Sequence, residues 1–136
     1  VRYVLDADIL IGALDRSDAH HQQSRRLFLA WRDQDDALLV SLVNLSEVLV
    51  APAADPQRLR AAREAVAALA VIVHLPTEGV GVDASRLRSR HPISLADGYL
   101  LATAKHAAAT AVSFDRKVVR AARAEGIPTS PGESAR

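Results

Sequence analysis

The sequence predicts an α/β fold: a three-layer α/β/α sandwich built on a mainly parallel central sheet. Three observations carry this. Short apolar runs of strand length alternate with helical segments along the chain. The first of these runs is apolar throughout rather than alternating, as a strand covered on both faces requires. The 136 residues, rich in Ala, Leu and Val and poor in aromatics, suffice for one close-packed core without disulfide or metal staples.

The elements follow in order. "RYVLDAD" opens the chain as a strand, "DILIGALD" is a short helix, and Arg16 and Ser17 turn the chain. A helix from about Asp18 to Arg32 sets Leu27, Phe28 and Trp31 on one stripe. "RDQDD" is a polar turn before the strand "ALLVS"; "LVNLSEVLVA" is a helix stopped near Pro52. Pro56 opens a helix through Leu69, with Leu59, Ala62, Val66 and Leu69 in register, and "AVIVHLP" is the third strand. A helix from about Gly81 to Ser89 precedes "SLADGYLLATAKHAAA", the strongest helical signal. "TAVSFD" is the fourth strand, "RKVVRAARAEG" a helix closed by Gly126, and "IPTS" a short last strand. One domain over 1–130 and a flexible tail over 131–136 are expected.

With no cysteine, disulfide frameworks, thiolate metal sites and cysteine nucleophiles are excluded. No apolar run approaches the length of a membrane span, and the N-terminus reads as a strand rather than a secretory signal. The expected location is the cytoplasm. The net charge of +1 is unevenly spread: residues 1–80 carry 11 acids against 8 Lys/Arg, residues 81–136 carry 5 against 9. Arg25/Arg26, Arg58/Arg60/Arg63, Arg86/Arg88/Arg90 and Arg116/Lys117/Arg120/Arg123 form basic clusters. Each is a solvated helix face unless a neighbouring site gives it phosphates to hold. There is no dinucleotide fingerprint or phosphate loop after the first strand.

The acids carry the chemistry. Ligands of open α/β sheets gather beyond the carboxyl ends of the strands. Asp6 ends the first strand with Asp8 just beyond; Asp97 and Asp115 fall near helix starts. Each has a purely structural reading. Asp6 or Asp8 caps the "ILIGALD" helix, Ser94 and Asp97 make a capping box, and Asp115 caps the helix from Arg116. Glu47 lies among Val43, Leu45, Val48, Leu49 and Val50, a segment with little obvious solvated face, so its carboxylate is expected to be paired, hydrogen-bonded or metal-bound; a surface glutamate on a partly exposed helix is the alternative. Carboxylates converging on one point repel unless a cation joins them, and an oxygen-only donor set suits Mg²⁺ or Mn²⁺. Such an ion polarises a phosphodiester and activates water. His20, His21, His91 and His106 read as surface or helix-end residues, and His74 as part of the third strand.

"YVLDADILI", "NLSEVL", "SLADGYLLATA" and "AVSFDRKV" together resemble the PIN-domain family, in particular the VapC-type toxins of bacterial toxin–antitoxin pairs. The resemblance runs in order from Arg2 to Ser130. It implies a PIN-like fold and a Mg²⁺- or Mn²⁺-dependent endoribonuclease, with Asp6, Glu47, Asp97 and Asp115 as its acidic quartet. Asp6 and Asp97 would hold the metal most directly, Glu47 would orient or deprotonate the attacking water, and Asp115 would act as a metal ligand through water or on a second ion. Asp8 departs from the small polar residue usual at its position, so an added ligand or altered metal preference is implied there. Asn44 and Ser113 match polar neighbours that orient carboxylates or water; local backbone bonding is their alternative role. Arg116 and Lys117 are the best candidates for substrate phosphates, with Arg90 a third.

The implied reaction is RNA hydrolysis leaving a 5′-phosphate, often on structured RNA such as tRNA or rRNA. The implied partners are a second copy of the chain and a VapB-like antitoxin that covers or disturbs the active-site groove. Leu27–Trp31 and parts of the Leu59–Leu69 helix are expected to belong to that groove; a core stripe is the alternative for their inward residues. The alternatives are a DNA or flap nuclease of the same fold, a binding module with a degenerate site, and an aspartate-nucleophile phosphatase. A degenerate copy should lack a core acid, and all four positions are filled.

Overall fold

A computed structural model describes residues 1–130; the tail expected at 131–136 lies outside the described residues. Five strands form one sheet: β1 (Arg2–Leu5), β2 (Ala37–Ser41), β3 (Val71–His74), β4 (Thr110–Val112) and β5 (Thr129–Ser130). Their order is β3-β2-β1-β4-β5, and every pairing is parallel. Tyr3 stands opposite Leu38 on one side and Thr110 on the other. Seven α-helices connect them: α1 (Ala7–Leu14), α2 (His21–Asp33), α3 (Leu42–Leu49), α4 (Pro56–Ala68), α5 (Glu78–Arg90), α6 (Leu95–His106) and α7 (Arg116–Ala124).

The strand pleat explains the three layers. Val4 and Ala111 face one core with Ala84, Leu87, Leu100, Leu101, Val118 and Ala122, supplied by α5, α6 and α7. Their neighbours Leu5 and Val112 face the other, with Ile9, Leu10, Trp31, Val48 and Val66 from α1 to α4. Both faces of β1 are therefore covered, and its residues read as one unbroken apolar run. The chain leaves β1 for β2 on one side and reaches β4 on the other. This reversal of strand order opens a crevice beyond the carboxyl ends of β1 and β4.

Several boundaries differ from expectation, each for a local reason. β1 stops at Leu5 and β4 at Val112, because Asp6 and Asp115 already cap the helices beyond. α2 starts at His21 rather than Asp18. Asp15 Oδ1 accepts from the Ser17 N–H and hydroxyl, and Asp18 from the His20 N–H, so the preceding residues are spent on turns. α5 starts three residues before Gly81, where Thr77 Oγ1 accepts from the Val80 N–H. α6 ends at His106, short of the three alanines, because Ala108 turns left-handed (φ 51°) and the Ala109 N–H returns to the Ala104 carbonyl. The last strand shrinks from "IPTS" to two residues. No helix among the described residues is long and apolar enough to cross a membrane.

Candidate active site

Two turns meet in the crevice between β1 and β4. The Asp6 N–H donates to the Val112 carbonyl (2.9 Å), continuing the sheet by one bond. Its side chain then turns inward and is 6 % exposed. Oδ1 accepts from the Ala7 N–H at 2.7 Å, which is the helix cap, and Oδ2 accepts from the Ser113 hydroxyl at 2.6 Å. Ser113 Oγ itself accepts from the Asp115 N–H. Asp8 Oδ2 accepts from the Phe114 N–H at 3.0 Å, while Asp8 Oδ1 is buried with no partner. The Ser113–Phe114–Asp115 turn is thereby laced to the start of α1 by side chains from both sides.

Asp97 and Glu47 approach from α6 and α3. Ser94 and Asp97 form the expected capping box, with Asp97 Oδ2 accepting from the Ser94 N–H. Asn44 is fully buried, and its Nδ2 donates both to the Ala96 carbonyl (3.1 Å) and to Glu47 Oε1 (3.2 Å). One amide thus pins α3 to the first turn of α6, beside Asp97. Glu47 takes the surface alternative: it is exposed, because α3 has a solvated face that also carries Leu42 and Ser46. Its carboxylate is hydrogen-bonded by an amide on its own helix rather than paired with a buried charge.

Asn44→Asp makes this testable. The substitution keeps the shape but replaces the donor with an oxygen facing a carbonyl and a carboxylate. A loss of about 2 kcal/mol or more in urea unfolding is expected, exceeding that of Asn44→Ala. Equal stability of the Asp variant and wild type would show that this pin is immaterial.

The electrostatics are unbalanced. Burial pushes the Asp6 carboxyl up to about 8, and the charges of Asp8 and Asp97 add to this against the Ser113 and Ala7 hydrogen bonds. Burial likewise lifts Asp8 to about 6, opposed by the Phe114 N–H and by His20. Asp115 also bears on Asp8, while its Oδ1 caps α7 through the Lys117 N–H. All three structural roles expected of Asp6, Asp97 and Asp115 are therefore filled, and the same acids surround one crevice. Among the described residues no three carboxylates or imidazoles form a complete ligand group for one ion. The unpartnered Asp8 oxygen and the mutual repulsion of Asp6, Asp8 and Asp97 fit a hard cation.

The basic candidates separate. Arg116 and Lys117 are exposed on the first turn of α7, directly after Asp115. Arg90 instead donates to Glu125 Oε1 at 3.0 Å, alongside His91 Nε2 on Oε2 at 2.6 Å. Glu125 closes α7 at the end opposite Asp115, so Arg90 is not gathered with the acids. Sequence reasoning missed His20 and Phe114. The loop before α2 lays the His20 ring over Phe114 (centroids 4.2 Å, planes 14° apart), next to Asp8. No motif marks His20. Phe114 was legible only as the residue between Ser113 and Asp115. A groove of about 940 Å³ lies between α1, α2 and the end of α4, lined by Arg16, Arg25, Phe28, Trp31 and Leu69 among others. None of the crevice acids lines it, so the stretch expected beside the active-site groove borders a different one, with Trp31 buried in the core.

The PIN domain family model matches residues 3–124, and the chain belongs to the PIN domain family. Solved structures agree in fold. The chain is similar to VapC20 of Mycobacterium tuberculosis, a toxin cleaving the sarcin-ricin loop, at 19 % identity and TM-score 0.72, covering 88 % of this chain and 94 % of that one. It is similar to VapBC-1 of nontypeable Haemophilus influenzae at 18 % identity and TM-score 0.68, covering 96 % and 97 %. VapBC2 of Rickettsia felis, bound to a DNA fragment from its promoter, gives 13 % identity and TM-score 0.72, covering 96 % and 98 %. No curated protein sequence matches significantly.

Proposed function

We propose that this protein is a VapC-like toxin, a Mg²⁺- or Mn²⁺-dependent endoribonuclease. The observation that carries this reading is the concentration of uncompensated carboxylate charge at the strand-reversal crevice, where burial and neighbouring acids raise Asp6 to about 8. Asp6 and Asp97 would hold the cation, Asp115 would act through water, and Asp8 would add a further oxygen. When bound, the ion supplies Lewis-acid polarisation of the phosphodiester and an acidified water.

The rest falls to the chain's own groups. Asn44 holds Glu47 Oε1, leaving Oε2 to take the proton of the attacking water. Ser113 fixes the Asp6 carboxylate through its hydroxyl and the following turn through its own acceptor oxygen. Arg116 and Lys117 would take the phosphates flanking the cleaved bond, setting register rather than sequence choice. In-line attack by water would leave a 5′-phosphate.

The substrate is a structured RNA of the tRNA or rRNA kind, a reading supported by the likeness to a toxin that cleaves the sarcin-ricin loop. The partners are a second copy of the chain and a VapB-like antitoxin. The groove lined by Arg16, Arg25, Phe28, Trp31 and Leu69 suits an antitoxin segment with apolar anchors and acidic flanks.

Purified protein incubated with total RNA tests the function. Discrete fragments in Mg²⁺ or Mn²⁺ and none in EDTA are expected; an unchanged pattern in EDTA would sink the metal-dependent reading. The phosphate contacts have their own readout. Arg116→Ala and Lys117→Ala should each lower the slope of log affinity against log salt by about 1 for RNA binding. A slope unchanged in both would remove them from the interface.

A further inference from the structure

We infer that His20 and Phe114 form a stacking platform for an unpaired nucleobase next to the cleaved phosphate; this rests on the ribonuclease reading above. Phe114 lies between Ser113 and Asp115, and its N–H is held by Asp8 Oδ2 at 3.0 Å, so its ring is anchored to the acidic crevice itself. The His20 ring lies nearly parallel to it at 4.2 Å. One face of the imidazole is thus occupied, and 48 % of the His20 side chain remains exposed.

The loop that carries His20 is firmly set. Asp15 binds Ser17 through both its N–H and hydroxyl, and Asp18 accepts from the His20 N–H. His21 Nδ1 meets the Gly12 carbonyl at 2.8 Å, fastening the next residue to α1. The imidazole is therefore held in place by the chain on both sides of it. A flat ring already stacked on another offers an RNA base a continuous π-surface, and single-stranded RNA is held largely by such surfaces. With Arg116 and Lys117 just beyond Asp115, the phosphate grips lie on the same short segment as Phe114, the ring on which His20 stacks. The platform would fix which nucleotide lies against the acids.

The test uses single-stranded RNA octamers carrying one 2-aminopurine at successive positions, bound in Mg²⁺ to the full chain in an Asp6→Asn background to suppress cutting. Strong quenching is expected at one position. Adding His20→Ala should abolish it and weaken binding about tenfold or more, the scale of one base–aromatic stack. His20→Phe, which keeps a flat face, should retain both. Emission unaltered at every position, or His20→Ala binding as its parent does, overturns the platform. Wild-type cleavage of total RNA is read in parallel. Cleavage without quenching sinks the platform alone; quenching without cleavage supports base stacking on His20 but overturns the nuclease reading, and with it the platform's place beside a cleaved phosphate.

Discussion

Asp6→Asn is expected to abolish RNA cleavage and at the same time to make the metal-free protein more stable. The two effects share one cause. Asp6 is buried against Asp8 and Asp97, and its carboxyl is raised to about 8. A raised acid binds its proton more tightly in the folded state than in the unfolded one. Its contribution to stability is therefore complete below about pH 4 and is lost as pH rises through about 8. Asp8, raised to about 6, acts in the same direction over the lower part of that window. Wild type without divalent ions should lose thermal stability between pH 5 and 8, to a degree set by these shifts. The asparagine removes the charge, and its amide can still meet Ser113 Oγ. A melting temperature about 5 °C above wild type at pH 8 is expected in EDTA. Mg²⁺ should reverse the ranking, because wild type binds it more tightly and so gains more from it. Activity should fall by more than the roughly 100-fold typical of losing an outer partner. An Asn variant that cleaves RNA normally would remove Asp6 from the mechanism.

Gly98→Ala is the second large effect, and its sign is the reverse of helix propensity. In an exposed helix the change gains about 1 kcal/mol. Here a Cβ would lie 2.5 Å from the Ala84 carbonyl oxygen and 3.2 Å from its carbon, both backbone atoms of α5. Neither can rotate away, so α5 and α6 must move apart. A net destabilisation of about 2 kcal/mol is expected in urea unfolding. Gly98 follows Asp97 directly, so the same shift displaces a crevice acid, and cleavage should fall with stability. A more stable, fully active variant would mean that the two helices are not in this close contact.

The centre of the sheet was legible because β1 and β4 are covered on both faces and so stand out as uninterrupted apolar runs; the edge strand β3 is as apolar but leaves Ile72 and Val73 exposed. The acids were legible for a different reason: strand ends and helix starts fall at the same place in a parallel fold, so a residue that caps a helix also borders the crevice. Asp6, Asp97 and Asp115 are caps and crevice residues at once, and neither reading excluded the other. For Glu47 the apolar neighbours favoured burial over the surface alternative, whereas α3 exposes Leu42 and Ser46 as well. The start of α5 was missed because Gly79 and Gly81 weaken helix propensity there, and Thr77 compensates with its cap. Arg90 drew attention by its place in a basic cluster, but a partner 35 residues away, Glu125, decides where it goes. His20 was invisible for the same kind of reason: its meaning lies in a ring from β4's far end, which only the fold brings beneath it.

Titration calorimetry with Mn²⁺ at pH 7.5 tests the central claim most directly, comparing wild type with Asp6→Asn and Asp97→Asn, each confirmed as folded by its thermal melt. The account predicts saturable binding by wild type, at least tenfold weaker in both variants, with proton release on binding because Asp6 is partly protonated before the ion enters. Equal binding by all three proteins, or none by wild type, would contradict it. The acids would then be helix caps that happen to share a crevice.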